Sequence, residues 1–345
     1  MISRRRALAL MGAAVTLAGR SGIAQTRTVT DAAGRKVSVP AKIERIFAAG
    51  TPAAITLYTL APDKLVGWPD PIRGDRLSYL PPKYAALPVT GRLTGRANTA
   101  NVESVLKAKP DLVLDIGTIA PIYTSLADRV QQQTGIPYIL LDGALTKAPA
   151  LYRQLGEIFD MRQEADALAT YAAGMLTQVK ERVAYVPAVD RARVYYARGP
   201  QGLETGLAGS INAEMLDVVG ARNVAVTGEK RNIATVSPEQ ILSWNPEDVI
   251  TIDQRFYKAV WENPIWEDVD AVKYKRVYLA PDKPFGWFDS PPATNRLIGL
   301  KWLCNKLYNG LFTGDFAAET HDFYRRFYHI DLTQAQLAAL LEPAA

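Results

Sequence analysis

Between Gln163 and Ala184 the chain runs for 22 residues without a proline and with a single glycine, Gly174. Ala165, Leu168, Ala172, Leu176 and Val179 recur there at three- and four-residue steps, the period of an amphipathic helix. At 1.5 Å per residue such a helix spans about 33 Å, the width of a domain. Pro187 stops it. The segment stands between two halves of similar plan, so it reads as a rigid connector rather than a surface helix of one globule.

In the first half, Ile43 to Phe47 reads as a strand, Pro52–Leu60 as a helix, and Leu65 to Trp68 as a short strand. A loop covers Gly91 to Thr99, and a capped helix begins at Asn101. Lys109-Pro110-Asp111 leads into the strand Leu112-Val113-Leu114, and Pro137 to Asp142 is another strand. The second half repeats this plan. Arg193 to Tyr196 is a strand and Ile211 to Val219 a helix. Ser237 caps a helix with Pro238 at its first position, and Asn245-Pro246-Glu247 leads into the strand Asp248 to Ile252. Arg276 to Leu279 closes the half. Strands alternating with helices predict parallel sheets covered by helices. The expected fold is therefore α/β, two Rossmann-like lobes joined by one long α-helix: lobes over 25–162 and 186–345, connector over 163–185.

Ahead of these lobes, Arg4-Arg5-Arg6, an apolar run from Ala7 to Gly19, and Gly22-Ile23-Ala24 have the order of a secretory signal peptide over residues 1–24. The run is too short to span a bilayer, which takes about 20 apolar residues. Ser3 to Leu8 also resembles a twin-arginine signal, so both export routes stay open. No cysteine follows the apolar run, which argues against a lipid anchor and for a soluble periplasmic protein. The formal charge of +5 loses four arginines with the leader, so the mature balance is about +1 and no nucleic-acid partner is implied. Cys304 is the one cysteine; it sits in an apolar-periodic stretch and reads as a buried small residue.

Three segments together resemble one family. They are Thr30 to Pro40 with Ile43 to Ile46, Asn101-Val102-Glu103 through Val113, and Ser237-Pro238-Glu239 through Ile250. The chain is similar along nearly all its mature length to the periplasmic binding proteins for iron-siderophores, haem and corrinoids, whose lobes are joined by one backbone helix. The resemblance implies a substrate-binding protein of an ABC importer, a monomer that serves a permease dimer in the inner membrane. It further implies that Glu103 and Glu239, in equivalent places of the two lobes, meet arginines on the permease subunits. Each glutamate also suits a helix N-terminus locally. A stiff connector implies modest closure on binding.

In sheets of this kind ligands bind beyond the carboxyl ends of the strands. Aromatic and arginine residues at such loop positions are Trp68, Arg92, Arg96 and Tyr123 in the first half. In the second they are Tyr196, Arg198, Arg255, Tyr257, Trp287, Phe288 and Arg296. Arginine forks onto carboxylate or catecholate oxygens and stacks, while tryptophan and tyrosine supply area. The mixture suits a bulky anionic metal chelate, a ferric siderophore first. Molybdate or tungstate, a corrinoid, haem and a nickel chelate are the alternatives. No cofactor or resident metal is expected, because His321 and His329 are eight positions apart and no other histidine exists. An enzyme, such as a periplasmic hydrolase, is disfavoured: Gly206 to Ser210 is not a nucleophile elbow, and no phosphate loop or dinucleotide fingerprint appears.

Overall fold

The structure is a computed structural model describing residues 25–95, 98–227 and 232–341. The expected leader, residues 1–24, lies outside the described residues. Among those described, no helix is long and apolar enough to cross a membrane.

An antiparallel hairpin opens the chain, β1 (Thr26–Thr30) with β2 (Lys36–Pro40). It turns at Gly34, whose φ of +78° suits a residue without a Cβ. The first lobe continues with β3 (Ile46–Ala48), α1 (Thr51–Leu60), α2 (Pro82–Ala85), α3 (Val102–Ala108), β4 (Leu112–Gly117), α4 (Pro121–Thr134), β5 (Tyr138–Asp142) and α5 (Ala148–Phe159). The connector is α6 (Arg162–Val183). The second lobe holds β6 (Arg193–Ala197), β7 (Glu204–Gly206), α7 (Glu214–Val218), β8 (Arg222–Asn223), β9 (Ile233–Thr235) and α8 (Pro238–Trp244). It goes on through β10 (Asp248–Thr251), α9 (Gln254–Ala259), α10 (Asp270–Lys273) and β11 (Val277–Leu279). Three helices end the chain: α11 (Arg296–Leu307), α12 (Phe316–Tyr328) and α13 (Gln334–Leu341).

Each lobe carries a parallel sheet, ordered β3-β4-β5 in the first and β11-β10-β6-β8 in the second. All residues from Leu112 to Ile116 are buried, and all but Asp115 are apolar, the pattern expected where helices cover both faces of a sheet. The two-lobed α/β architecture read from the sequence is thus the one found. Two local readings need correction. Leu65 and Trp68 make only isolated bridges, to Ile46 and Val89, so no strand forms there. The helix expected over Ile211 to Val219 is confined to α7, with turns before it.

The connector buries Ala165, Leu168, Ala169, Ala172, Met175, Val179 and Val183, and leaves Leu176 half-buried. It packs against α5 and α1 of the first lobe and against α7 and α11 of the second. The last helices then cross back. The Tyr58 hydroxyl of α1 donates to the Tyr328 carbonyl at 2.6 Å, and the Tyr79 hydroxyl donates to the Gln336 carbonyl at 3.1 Å. Tyr171 of α6 meets Phe327 edge-on at 5.2 Å. One apolar cluster therefore runs from Ile46 and Leu112 through α6 to Val194 and Ile250. Cys304 is buried in it, and burial pushes its thiol up to about 12, out of the reactive range.

Candidate functional site

A cleft of about 590 Å³ opens where the strand ends of the two lobes face each other. The first lobe supplies Thr51 and Pro52 at the start of α1, then Trp68, Asp70, Arg92 and Thr94. It also supplies Asp115 to Thr118 after β4 and Tyr123 in the first turn of α4. The second lobe supplies Arg198 just after β6, Ile211, Asn212, Phe285, and Asp289 to Pro292. Two helix N-termini, those of α1 and α4, thus border the cleft; a proline in the first turn of each removes an N–H, so what they offer negative charge is chiefly the positive end of the helix dipole.

The arginines are held by acids. Arg198 pairs with Asp289, which is 1 % exposed, and donates to the Tyr196 hydroxyl at 2.9 Å. The Tyr196 hydroxyl donates to Asp289 at 3.0 Å, and the Asn212 amide reaches both carboxylate oxygens at 3.1 Å. Burial opposes the Arg198 charge, but Tyr196 and Asp289 more than offset it and hold its pKa above the ordinary value. Its Nε is buried with no hydrogen-bond partner among the described residues, a donor still to be satisfied. Across the cleft, Arg92 reaches Asp70 at 3.3 Å, and the Thr51 hydroxyl donates to the same carboxylate at 2.8 Å. Arg76, also on the wall, pairs with Asp282. Asp115 is buried, and burial pushes its carboxyl up to about 6 against donors from Tyr138 and Thr94. Among the described residues no cluster of three His, Cys, Asp or Glu side chains could hold a metal ion.

Of the residues singled out from the sequence, Trp68, Arg92, Tyr123 and Arg198 line the cleft, and Tyr196 stands behind Arg198 as its support. Arg96 lies outside the described residues. Five others are elsewhere. Trp287 is fully buried, and its indole N–H donates to the Tyr324 hydroxyl at 3.2 Å. The cause is close backbone packing: a Cβ on Gly299 would come within 1.8 Å of the Trp287 carbonyl oxygen, so α11 presses this loop into the core. Phe288 is buried against the Tyr196 ring at 4.5 Å. Arg296 is 1 % exposed and spends its guanidinium on protein partners. Arg255 is exposed and turns back onto Asp253, the N-cap of its own helix. Tyr257 packs on Trp261 in the second lobe's core. Sequence reasoning passed over Asp289, Asn212, Asp115 and Thr94. Asp289 lay inside the same proline-rich segment as Trp287, where an acid among aromatics was the available signal.

Glu103 and Glu239 are exposed in the first turns of α3 and α8, away from the cleft. A hydrogen bond from the Ser237 side chain holds the Glu239 carboxyl below its ordinary pKa.

Residues 53–284 match the model of a family described as periplasmic binding protein. The molybdate-binding protein MolA of Haemophilus influenzae is 28 % identical over 335 residues, covering 88 % of this chain and 91 % of that protein. The structure of that protein bound to molybdate superposes with a TM-score of 0.72 and 26 % identity, covering 89 % of this chain and 99 % of that one. An ABC transporter solute binding protein from Sulfurospirillum deleyianum superposes with a TM-score of 0.83 and 29 % identity, covering 91 % and 98 %.

Proposed function

The chain belongs to the periplasmic binding protein family, and on that footing we propose that it is the substrate-binding protein of an ABC importer that captures a tetrahedral metal oxyanion of the molybdate type. One observation carries the choice of an oxyanion. Arg92 and Arg198 sit on opposite walls of a cleft that the N-termini of α1 and α4 also border. Oxyanions are held by guanidinium donors of this kind, and the positive ends of two helices favour the same charge. Pre-pairing with Asp70 and Asp289 keeps the arginines in place before cargo arrives, so little side-chain order is lost on binding. Trp287, Phe288 and Tyr257 pack into or against the core, so the aromatic lining open to a catecholate chelate is reduced to Trp68, Tyr123 and Phe285.

A second reading, a ferric siderophore, is favoured by size. A volume of about 590 Å³ falls within the range of small-molecule sites and exceeds what a tetrahedral oxyanion fills. Equilibrium dialysis of the purified protein against molybdate, tungstate, sulfate, a ferric catecholate and a ferric hydroxamate, read by elemental mass spectrometry, decides between them. Trp68 emission supplies a second signal from the cleft. Retention of molybdate and tungstate is expected. Retention of a ferric chelate alone overturns the oxyanion assignment and leaves the importer role standing. Delivery is to a permease dimer, with Glu103 and Glu239 each meeting a basic residue of one subunit. Exposed charge pairs of that kind orient an encounter and release it readily.

A further inference from the structure

Arg296 is the first residue of α11, and its guanidinium is surrounded by main chain from both lobes. Nη1 donates to the Ile211 carbonyl at 3.0 Å and to Glu214 at 3.1 Å, while Nε donates to the Ala293 carbonyl at 3.2 Å, all within the second lobe. Nη2 donates to the Gly143 carbonyl of the first lobe at 3.2 Å. Glu214 completes the crossing, because both its oxygens accept the Leu145 N–H at 2.9 Å. Arg296 and Glu214 thus reach across the junction in opposite senses, one as donor and one as acceptor.

Their contacts end on cleft walls. Ile211 and its neighbour Asn212 line the second-lobe side, and Asn212 holds Asp289, the partner of Arg198. Gly143 donates its N–H to the carbonyl of Gly117 at 2.9 Å, and Gly117 lines the first-lobe side. The two glycines touch so closely that a Cβ on Gly143 would lie 2.9 Å from the Gly117 Cα. A displacement of either wall is therefore passed to the other through the two crossing contacts, Arg296 to the Gly143 carbonyl and the Leu145 N–H to Glu214, which the Arg296–Glu214 ion pair links. We propose that Arg296 and Glu214 are a positioning pair that sets the separation of the two cleft walls, and with it the geometry in which the Arg92 and Arg198 sides meet cargo. Only the cargo arm of the test below rests on the oxyanion reading.

Nitroxide labels on the exposed Q132C and K258C positions, one on each lobe, report wall separation by double electron–electron resonance in the cargo-free protein. The double variant E214L/R296M removes both charges together, which spares the fold the cost of a lone buried charge. The inter-label distribution is expected to shift and widen about twofold relative to the parent. Molybdate affinity is expected to fall about tenfold in the same variant. The single variant E214Q keeps the shape and the acceptor for Leu145 but not the charge facing Arg296, and it carries the same distance measurement if the double variant does not fold. Distributions superposable on the parent in the folded variants overturn the proposal. A parent that ignores molybdate while the variants still widen refutes the oxyanion and leaves the positioning pair intact.

Discussion

The stretches 101–114 and 237–250 are the same device built twice, at a constant offset of 136 positions (Asn101 to Ser237). In each a polar residue caps a seven-residue helix, α3 or α8. Glu103 and Glu239 follow in the first turn, Val105 and Ile241 are buried, and Leu106 and Leu242 are exposed. Each helix ends on a left-handed residue, Lys109 at φ 47° or Asn245 at φ 39°. Each is tied to its sheet by an arginine at the start of a parallel strand, Arg45 just before β3 and Arg193 first in β6: Arg45 donates to the Ala108 and Lys109 carbonyls, and Arg193 to the Trp244 carbonyl. An acid then accepts backbone N–H groups at that strand's start, Asp111 from the residues before β3 and Glu247 from the first residue of β6. The copies share backbone geometry while their side chains differ. Position by position, the differences separate what the unit requires from what each lobe adds.

The largest difference is at the strand start, where Leu112 faces Asp248. Both are buried, and burial pushes the Asp248 carboxyl up to about 6, with Arg276 at 3.9 Å countering only in part. A carboxyl raised in the fold gives stability that is full below the unfolded value near pH 4 and is lost as pH rises through about 6. D248N is therefore expected to gain about 2 kcal/mol near pH 7 and nothing near pH 4. Urea melts at the two pH values check it, and a gain that does not depend on pH refutes the assignment.

The acids come next. Asp111 accepts the N–H groups of Glu44 and Arg45, both at 2.8 Å, whereas Glu247 accepts only that of Arg193, at 3.2 Å. D111A should cost about 2 kcal/mol and E247A about 1, at about 1 kcal/mol for each lost bond. Equal midpoint shifts would mean that the shorter acid owes nothing to its second bond.

The left-handed residues should respond with opposite signs. Lys109 offers the turn its main-chain carbonyl, which glycine keeps, so K109G relieves a strained φ and should stabilise by about 0.5 kcal/mol. Asn245 tolerates that region better, and its side chain accepts the Asp270 N–H at 2.9 Å, so N245G should lose about 1 kcal/mol. Thermal melts of the two variants check the sign.

What could be read from the sequence follows this division. The caps at Asn101 and Ser237, the strands after Pro110 and Pro246, and a connector displaced by one residue were all legible, because each is set by local chemistry or by a period. The cleft was legible where a side chain follows directly from a strand end, as Arg198 follows β6, or stands in a loop or first helical turn beyond one, as Arg92 and Tyr123 do. In the loop from Pro284 to Pro292 no period indicates which way a ring points. The direction is set by Gly299, far along the chain, which lets α11 close over Trp287. Arg296 was misplaced for a related reason. Its partners come from two segments distant from it, Gly143 from one and Ile211 with Glu214 from the other, and no spacing brings them together on the page.

The smallest expected effect on stability, and the closest test of the duplication, concerns the two glutamates. Reversing either charge places a cation in the first turn of a short helix, which lowers the melting midpoint slightly through the helix dipole. E239K should cost slightly more than E103K, because Glu239 also accepts a hydrogen bond from Ser237. Transport should not distinguish them. If the two lobes meet equivalent subunits of a two-fold permease, each single reversal lowers cargo uptake in cells by the same factor, and the double variant lowers it by the product. Cargo binding by the purified variants stays unchanged, since neither residue lines the cleft. A loss confined to one variant would show that the partner reads only one lobe. The repeat would then be a device for tying a helix to a sheet, kept in both halves for the fold alone.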